Sequence, residues 1–161
     1  MSFEDKLRAA ISRGQNRADE KQKEALAKQL SEEEFQTLHT QYRLQLSEYI
    51  EQCVQRLPNH FPGFRYETIY GERGWGAACY RDDLRSMGPK RRENDYSRLE
   101  LTVRPFSKYH VLDLAAKGTI GNKEVFNRSH FENLDQVRPE QFIELIDRWV
   151  LEYAEMYAAA N

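Results

Sequence analysis

The side chains best suited to chemistry lie in one stretch, "GERGWGAACYRDD", residues 71–83. It holds Gly71, Gly74 and Gly76, the ring of Trp75, the thiol of Cys79, the guanidinium of Arg81 and the adjacent carboxylates Asp82 and Asp83. A phosphate loop of the Walker kind needs G-x-x-x-x-G-K-[ST], because backbone amides cradle the phosphates while the lysine and hydroxyl complete the site. The lysine and the hydroxyl are missing here. A dinucleotide turn needs G-x-G-x-x-G after a strand and at the start of a helix. The glycines here are spaced G-x-x-G-x-G, and the residues after them read as strand.

A nucleophilic cysteine needs a setting that stabilises the thiolate, such as a helix N-terminus or a nearby histidine. Cys79 reads as mid-strand, and no histidine lies within 15 residues of it. The stretch is therefore read as a turn feeding a strand, with Gly74 and Gly76 marking a bulge or a place where another backbone or the Trp75 ring passes close. An enzyme would have to assemble its pocket from distant residues, with Cys79, His110, Arg98 and Arg104 as its members.

Metal chemistry finds no ligand spacing. The four histidines and two cysteines show no C-x-x-C, H-x-x-x-H or H-E-x-x-H pattern, so no cofactor or metal is expected. His39, beside Leu38 on a helical stripe, reads as a packed or surface histidine. There is no G-x-S-x-G elbow.

Nucleic acid is a sharper alternative. Arg81, Arg85, Lys90, Arg91, Arg92, Arg98 and Arg104 interleave with Trp75, Tyr80 and Tyr96, and arginines among stackable rings are how several single-strand binders work. Asp82, Asp83, Glu93, Asp95 and Glu100 occupy the same segment, so it reads more as a salt-bridged surface than as a patch that releases counterions. The residues expected to meet a partner, if this region does, are Trp75, Tyr80, Arg81, Arg98 and Arg104.

The elements that must position these residues follow from periodicity. Phe3, Leu7 and Ile11 form a short helical stripe, and residues 12–24 carry only Ala18 as an apolar residue. Residues 1–29 are thus a charged arm, helical or partly disordered, with little to bury. A second helix is expected to start at Ser31, where Ser31 and Glu34 offer a capping box, and to end at Pro58. Its stripe runs Phe35, Leu38, Tyr42, Leu46, Tyr49, Cys53 and Leu57.

From Phe64 the period becomes two. Strands are expected at 64–70, 74–81, 96–105, 109–118 and 123–131, with "SMGPKRREND" as a loop and Gly121–Asn122 as a turn. Short connections favour an antiparallel meander. Strand 96–105 alternates so that Leu99, Leu101 and Val103 share one face, with Arg98, Glu100, Thr102 and Arg104 on the other. Arg65, Glu67, Asp113 and Lys117 join the polar face by the same rule. After Pro139 a final helix buries Phe142, Ile146, Trp149, Tyr153 and Tyr157. The expected fold is a two-layer α+β domain over 30–161: a five-stranded meander with a long helix before it and an amphipathic helix after it, both on one face.

The runs "GERGWGAACYRDDL", "RLELTVRPFSKYHVLDLAAKGTIGNKEVFNRSHF" and "IDRWVLEYAEMYA" resemble a bacterial protein family to which no activity is attached. The likeness covers about 31 to 158 and implies no site residues. At the level of fold, the expected topology is similar to small chaperone and adaptor domains, an analogy that carries no activity.

Bulk properties narrow the class. The chain has 161 residues, 31% of them charged, with 24 basic against 26 acidic side chains. Its mean hydropathy is −0.84. A net charge of −2 gives no global pull toward nucleic acid or anionic membrane. No apolar run approaches the ~20 residues of a membrane span, and the N-terminus lacks a secretory layout. The expectation is a non-enzymatic cytoplasmic interaction module that meets a protein partner or a second copy of itself.

Overall fold

The computed structural model describes residues 2–86 and 92–160. Lys90 and Arg91 of the basic segment lie outside the described residues, as do the side chains of Arg85, Arg92 and Glu93. The elements run α1 (Phe3–Val54), α2 (Leu57–His60), β1 (Arg65–Ile69), β2 (Trp75–Ser86), β3 (Arg92–Val103), β4 (Val111–Ile120), β5 (Lys123–Asn133), a 3-10 turn (Leu134–Gln136) and α3 (Pro139–Ala160). The sheet order is β1-β2-β3-β4-β5, every pair antiparallel. This is the expected α+β meander between helices. Among the described residues no helix is long and apolar enough to cross a membrane.

The chain divides into two compact units, Met1–Thr37 and Leu38–Asn161. In the first, Ser2 caps the helix: its Oγ accepts from the Asp5 amide at 3.3 Å and donates to the Asp5 carboxylate at 3.0 Å. Phe3, Leu7 and Ile11 are all exposed. The expected helix start at Ser31 is not there, because α1 runs through it. No glycine or proline stands between Gln15 and Leu57, and the residues around Ser31 are strong helix formers, so nothing breaks the hydrogen-bond ladder. The helix also stops before Pro58, at Val54, and Pro58 sits in the first turn of α2.

In the second unit, Leu46, Ile50 and Val54 of α1 are fully buried. So are Phe142, Ile146 and Tyr153 of α3 and, from the sheet, Ala77, Cys79, Leu99, Leu101, Val103, Leu112 and Leu114. The Tyr153 hydroxyl donates to the Thr119 carbonyl at 2.9 Å and ties α3 to β4. Phe61 and Phe64 each meet the Tyr157 ring edge-on at 4.9 Å. Arg128 of β5 grips the Glu152 carboxylate of α3 with both terminal nitrogens.

Strands β2 and β3 are longer than their sequence predicts. Residues 82–85 fall outside the expected strand, and Ser86 and residues 92–95 within the expected loop, yet they pair as an extension of the hairpin. β4 pairs with β3 only from Arg98, so β3 extends beyond it. Asn122, in the β4–β5 turn with φ +69°, occupies the place of a neighbouring strand. Its amide donates to the Tyr96 carbonyl at 2.8 Å, its side-chain oxygen accepts from the Tyr96 amide at 2.9 Å, and its side-chain nitrogen donates to the Asn94 carbonyl at 2.7 Å.

Candidate functional site

The glycine stretch resolves as a turn, in which the Gly74 amide donates to the Gly71 carbonyl at 3.1 Å, feeding β2 at Trp75. A Cβ on Gly76 would lie 1.9 Å from the Leu101 carbonyl oxygen, and one on Gly74 would lie 2.5 Å from the Val103 carbonyl oxygen. Both glycines thus make room for the backbone of β3, not for a ligand. Cys79 is fully buried mid-strand, and burial pushes its thiol up to about 12. At neutral pH it is a protonated, packed thiol with no thiolate to offer.

The five residues expected at a partner surface divide between the two faces of the sheet. Tyr80 pairs directly with Arg98, and the Arg98 guanidinium lies 5.7 Å from the Tyr80 ring centroid. Arg98 also reaches Glu67 at 2.7 Å and Glu100 at 3.9 Å. Arg104 donates to Asp113 Oδ2 at 3.1 Å, and Arg73 meets Glu100 at 3.2 Å. These pairs bind β1, β3 and β4 across the open face, so Arg98 and Arg104 are both engaged. Lys117 stays exposed beside Glu100 in the β3–β4 register. A polar depression of about 250 Å³ on this face is lined by Arg73, Glu100, Thr102, Arg104, Lys117 and Asn127 among others.

Trp75 and Arg81 share the parity of buried Cys79 and face the helices. The Arg43 guanidinium of α1 stacks 4.0 Å from the Trp75 ring centroid. Arg81 donates to the Pro62 carbonyl at 2.9 Å and pairs with Asp83. Both residues are structural joints between the sheet and its cover. His39 is buried in the same layer: its Nε2 donates to the Arg104 carbonyl at 3.1 Å, and its ring meets Phe106 edge-on at 5.6 Å. Burial, reinforced by Arg43, lowers its pKa against the opposing pull of the Arg104 carbonyl, so His39 is neutral.

A second cluster lies between α1 and α3, where the sequence offers no motif. The Tyr49 hydroxyl donates to Asp147 Oδ1, and the Cys53 thiol lies 3.9 Å from the same oxygen. The hydrogen bond to Asp147 is the main reason the Tyr49 phenol is pushed up, and burial does the same to the Cys53 thiol. These groups line a cavity of about 430 Å³ whose other walls include Leu57, Phe61, Val150 and Leu151. Tyr49 and Cys53 belong to the expected apolar stripe of α1, which gives no sign of their polar tips converging on a carboxylate 94 to 98 residues away. Among the described residues, no group of three or more His, Cys, Asp or Glu side chains is arranged to hold a metal ion.

Comparison of the chain with protein-family models, with curated proteins and with solved structures gives no match.

Proposed function

We propose that this chain is a non-enzymatic interaction module, adaptor- or chaperone-like, that meets a protein partner through its N-terminal helical arm. The observation that carries the reading is the stripe Phe3, Leu7 and Ile11, spaced for one helix face and exposed by 76%, 41% and 53%. A helix with an uncovered apolar stripe is the element that lies in the groove of another protein. Lys6, Arg8, Arg13 and Arg17 outnumber Glu4 and Asp5 around the stripe, so the complementary partner surface is apolar with acidic flanks. Nucleic acid is the weaker reading, since Arg98 and Arg104 already hold carboxylates. Two free thiols, Cys53 and Cys79, support a reducing compartment and hence the cytoplasm.

The test is site-specific photo-crosslinking in cells that make the full chain. A photoreactive residue at position 7 or 11 should yield one discrete protein adduct, while the same residue at exposed Asn16, on the opposite side of the helix, should yield none. With the photoreactive residue at position 11, Phe3→Asp with Leu7→Asp should abolish the adduct. Equal adducts from positions 7 and 16 would overturn the reading.

A further inference from the structure

The cavity between α1 and α3 has no residue of the arm in its lining. Tyr49, Cys53 and Arg56 supply one wall, Asp147, Val150, Leu151 and Ala154 of α3 the other, and the corner formed by Leu57, His60 and Phe61 a third. The lining is mostly carbon, with one carboxylate set among it. Small-molecule sites have this composition: an apolar pocket of roughly 300–1,000 Å³ with a few placed polar groups. At about 430 Å³ the cavity is sized for a small ligand.

The carboxylate defines the chemistry. Tyr49 fixes Asp147 by hydrogen-bonding to Oδ1, and Cys53 lies against the same oxygen. Oδ2 has no hydrogen-bond partner among the described residues, and no arginine or lysine pairs with Asp147 there. An oriented carboxylate with a free oxygen, set among apolar side chains, is an acceptor for a charged N–H donor. Such a bond gains strength from the apolar surroundings. Arg56, exposed on the same wall as Tyr49 and Cys53, brings positive charge and disfavours a ligand with a second cationic group.

We propose that this cavity binds a small organic mono-ammonium compound, its charged nitrogen on Asp147 Oδ2 and its aromatic or aliphatic body against Val150, Leu151 and Phe61. Phenyl-sized bodies fit the volume. The test of this site uses other variants than the crosslinking of the arm, so the two readings fail or succeed separately.

The test is a nitrogen-15 NMR titration of the full-length chain with three probes of one size: 2-phenylethylamine, 2-phenylethanol and 3-phenylpropionate. The amine should bind at least about tenfold more tightly than the alcohol, as expected for a charge-assisted bond. Its shifts should centre on residues 49–57 and 147–154. Asp147→Asn should bring amine and alcohol within about twofold of each other, with the spectrum of the folded chain retained. Ala154→Phe, which fills the cavity without touching the carboxylate, should abolish amine binding, so the proposal stands or falls even if the Asp147→Asn variant does not fold. Equal binding of amine and alcohol to the native chain, tighter binding of the propionate, or shifts mapping elsewhere would each overturn it.

Discussion

On β3, Leu99, Leu101 and Val103 are fully buried beneath the helices, while Arg98 and Glu100, each one residue away, keep 19% and 16% of their side-chain surface. The covered face is held by carbon packing and a few oriented polar contacts: Tyr153 to Thr119, His39 to Arg104, Arg43 over Trp75. The open face is held by ion pairs: Arg98 to Glu67, Arg104 to Asp113, Arg73 to Glu100. Buried carbon contributes to stability in proportion to its area and responds little to salt. Half-exposed ion pairs contribute little each and weaken as ionic strength rises. Stability should therefore belong to one face, while the other is free to change.

The strongest way to break that contrast is Trp149→Ala on α3. The ring is buried and its removal leaves a large cavity, so a loss of about 3–5 kcal/mol is expected in urea denaturation. A near-neutral result would mean that the covered face is not where stability resides. Tyr153→Phe keeps the ring and deletes only the bond to Thr119. It should cost about 1–2 kcal/mol, because the carbonyl is left without its donor.

His39 sharpens the contrast through pH. Its folded-state pKa lies below its unfolded value near 6.5, so below that pH the unfolded chain binds a proton that the folded chain refuses. Stability should fall as pH drops from about 7 toward 5. His39→Gln, which can still donate to the Arg104 carbonyl, should flatten that part of the profile, read by thermal melts across the range. An unchanged slope would assign the acid sensitivity to other groups. The smallest effect is expected on the open face. Arg98→Gln with Arg104→Gln should shift stability by no more than about 1 kcal/mol per broken pair, with the difference shrinking in high salt. A larger loss would make the lattice a structural requirement and erase the contrast between the faces.

How far the sequence reveals this architecture depends on the range of the interaction. The alternation of strand 96–105 fixes which residues face the helices, and the structure pairs Arg98 with Glu67 and Arg104 with Asp113 on the polar face as that alternation implies. The stripe of α3 is equally plain, since six of its side chains are buried. The tight approach of β3 to Gly74 and Gly76 is foreshadowed by the glycines themselves. Alternation also divides Trp75 and Arg81 from Tyr80, Arg98 and Arg104, a separation that proximity in sequence conceals. The continuity of α1 through Ser31 is hidden because a capping box describes a permitted helix start and forbids nothing. Residues 82–86 and 92–95 fall outside the expected strands because cross-strand pairing, which no local pattern shows, makes them strand. The Tyr49–Asp147 contact depends on how two helices rotate about their axes, which no local pattern encodes.

Asn122 has a consequence beyond the turn in which it sits. Where β3 outruns β4, the amide and carbonyl of Tyr96 and the carbonyl of Asn94 face outward as a template on which a foreign strand could build. One side chain and its own amide occupy all three. The residue is a plug against edge-to-edge aggregation, a hazard that an exposed strand margin carries in any crowded solution. Losing it would be felt less in the melting temperature of a dilute sample than in how long a concentrated one stays clear.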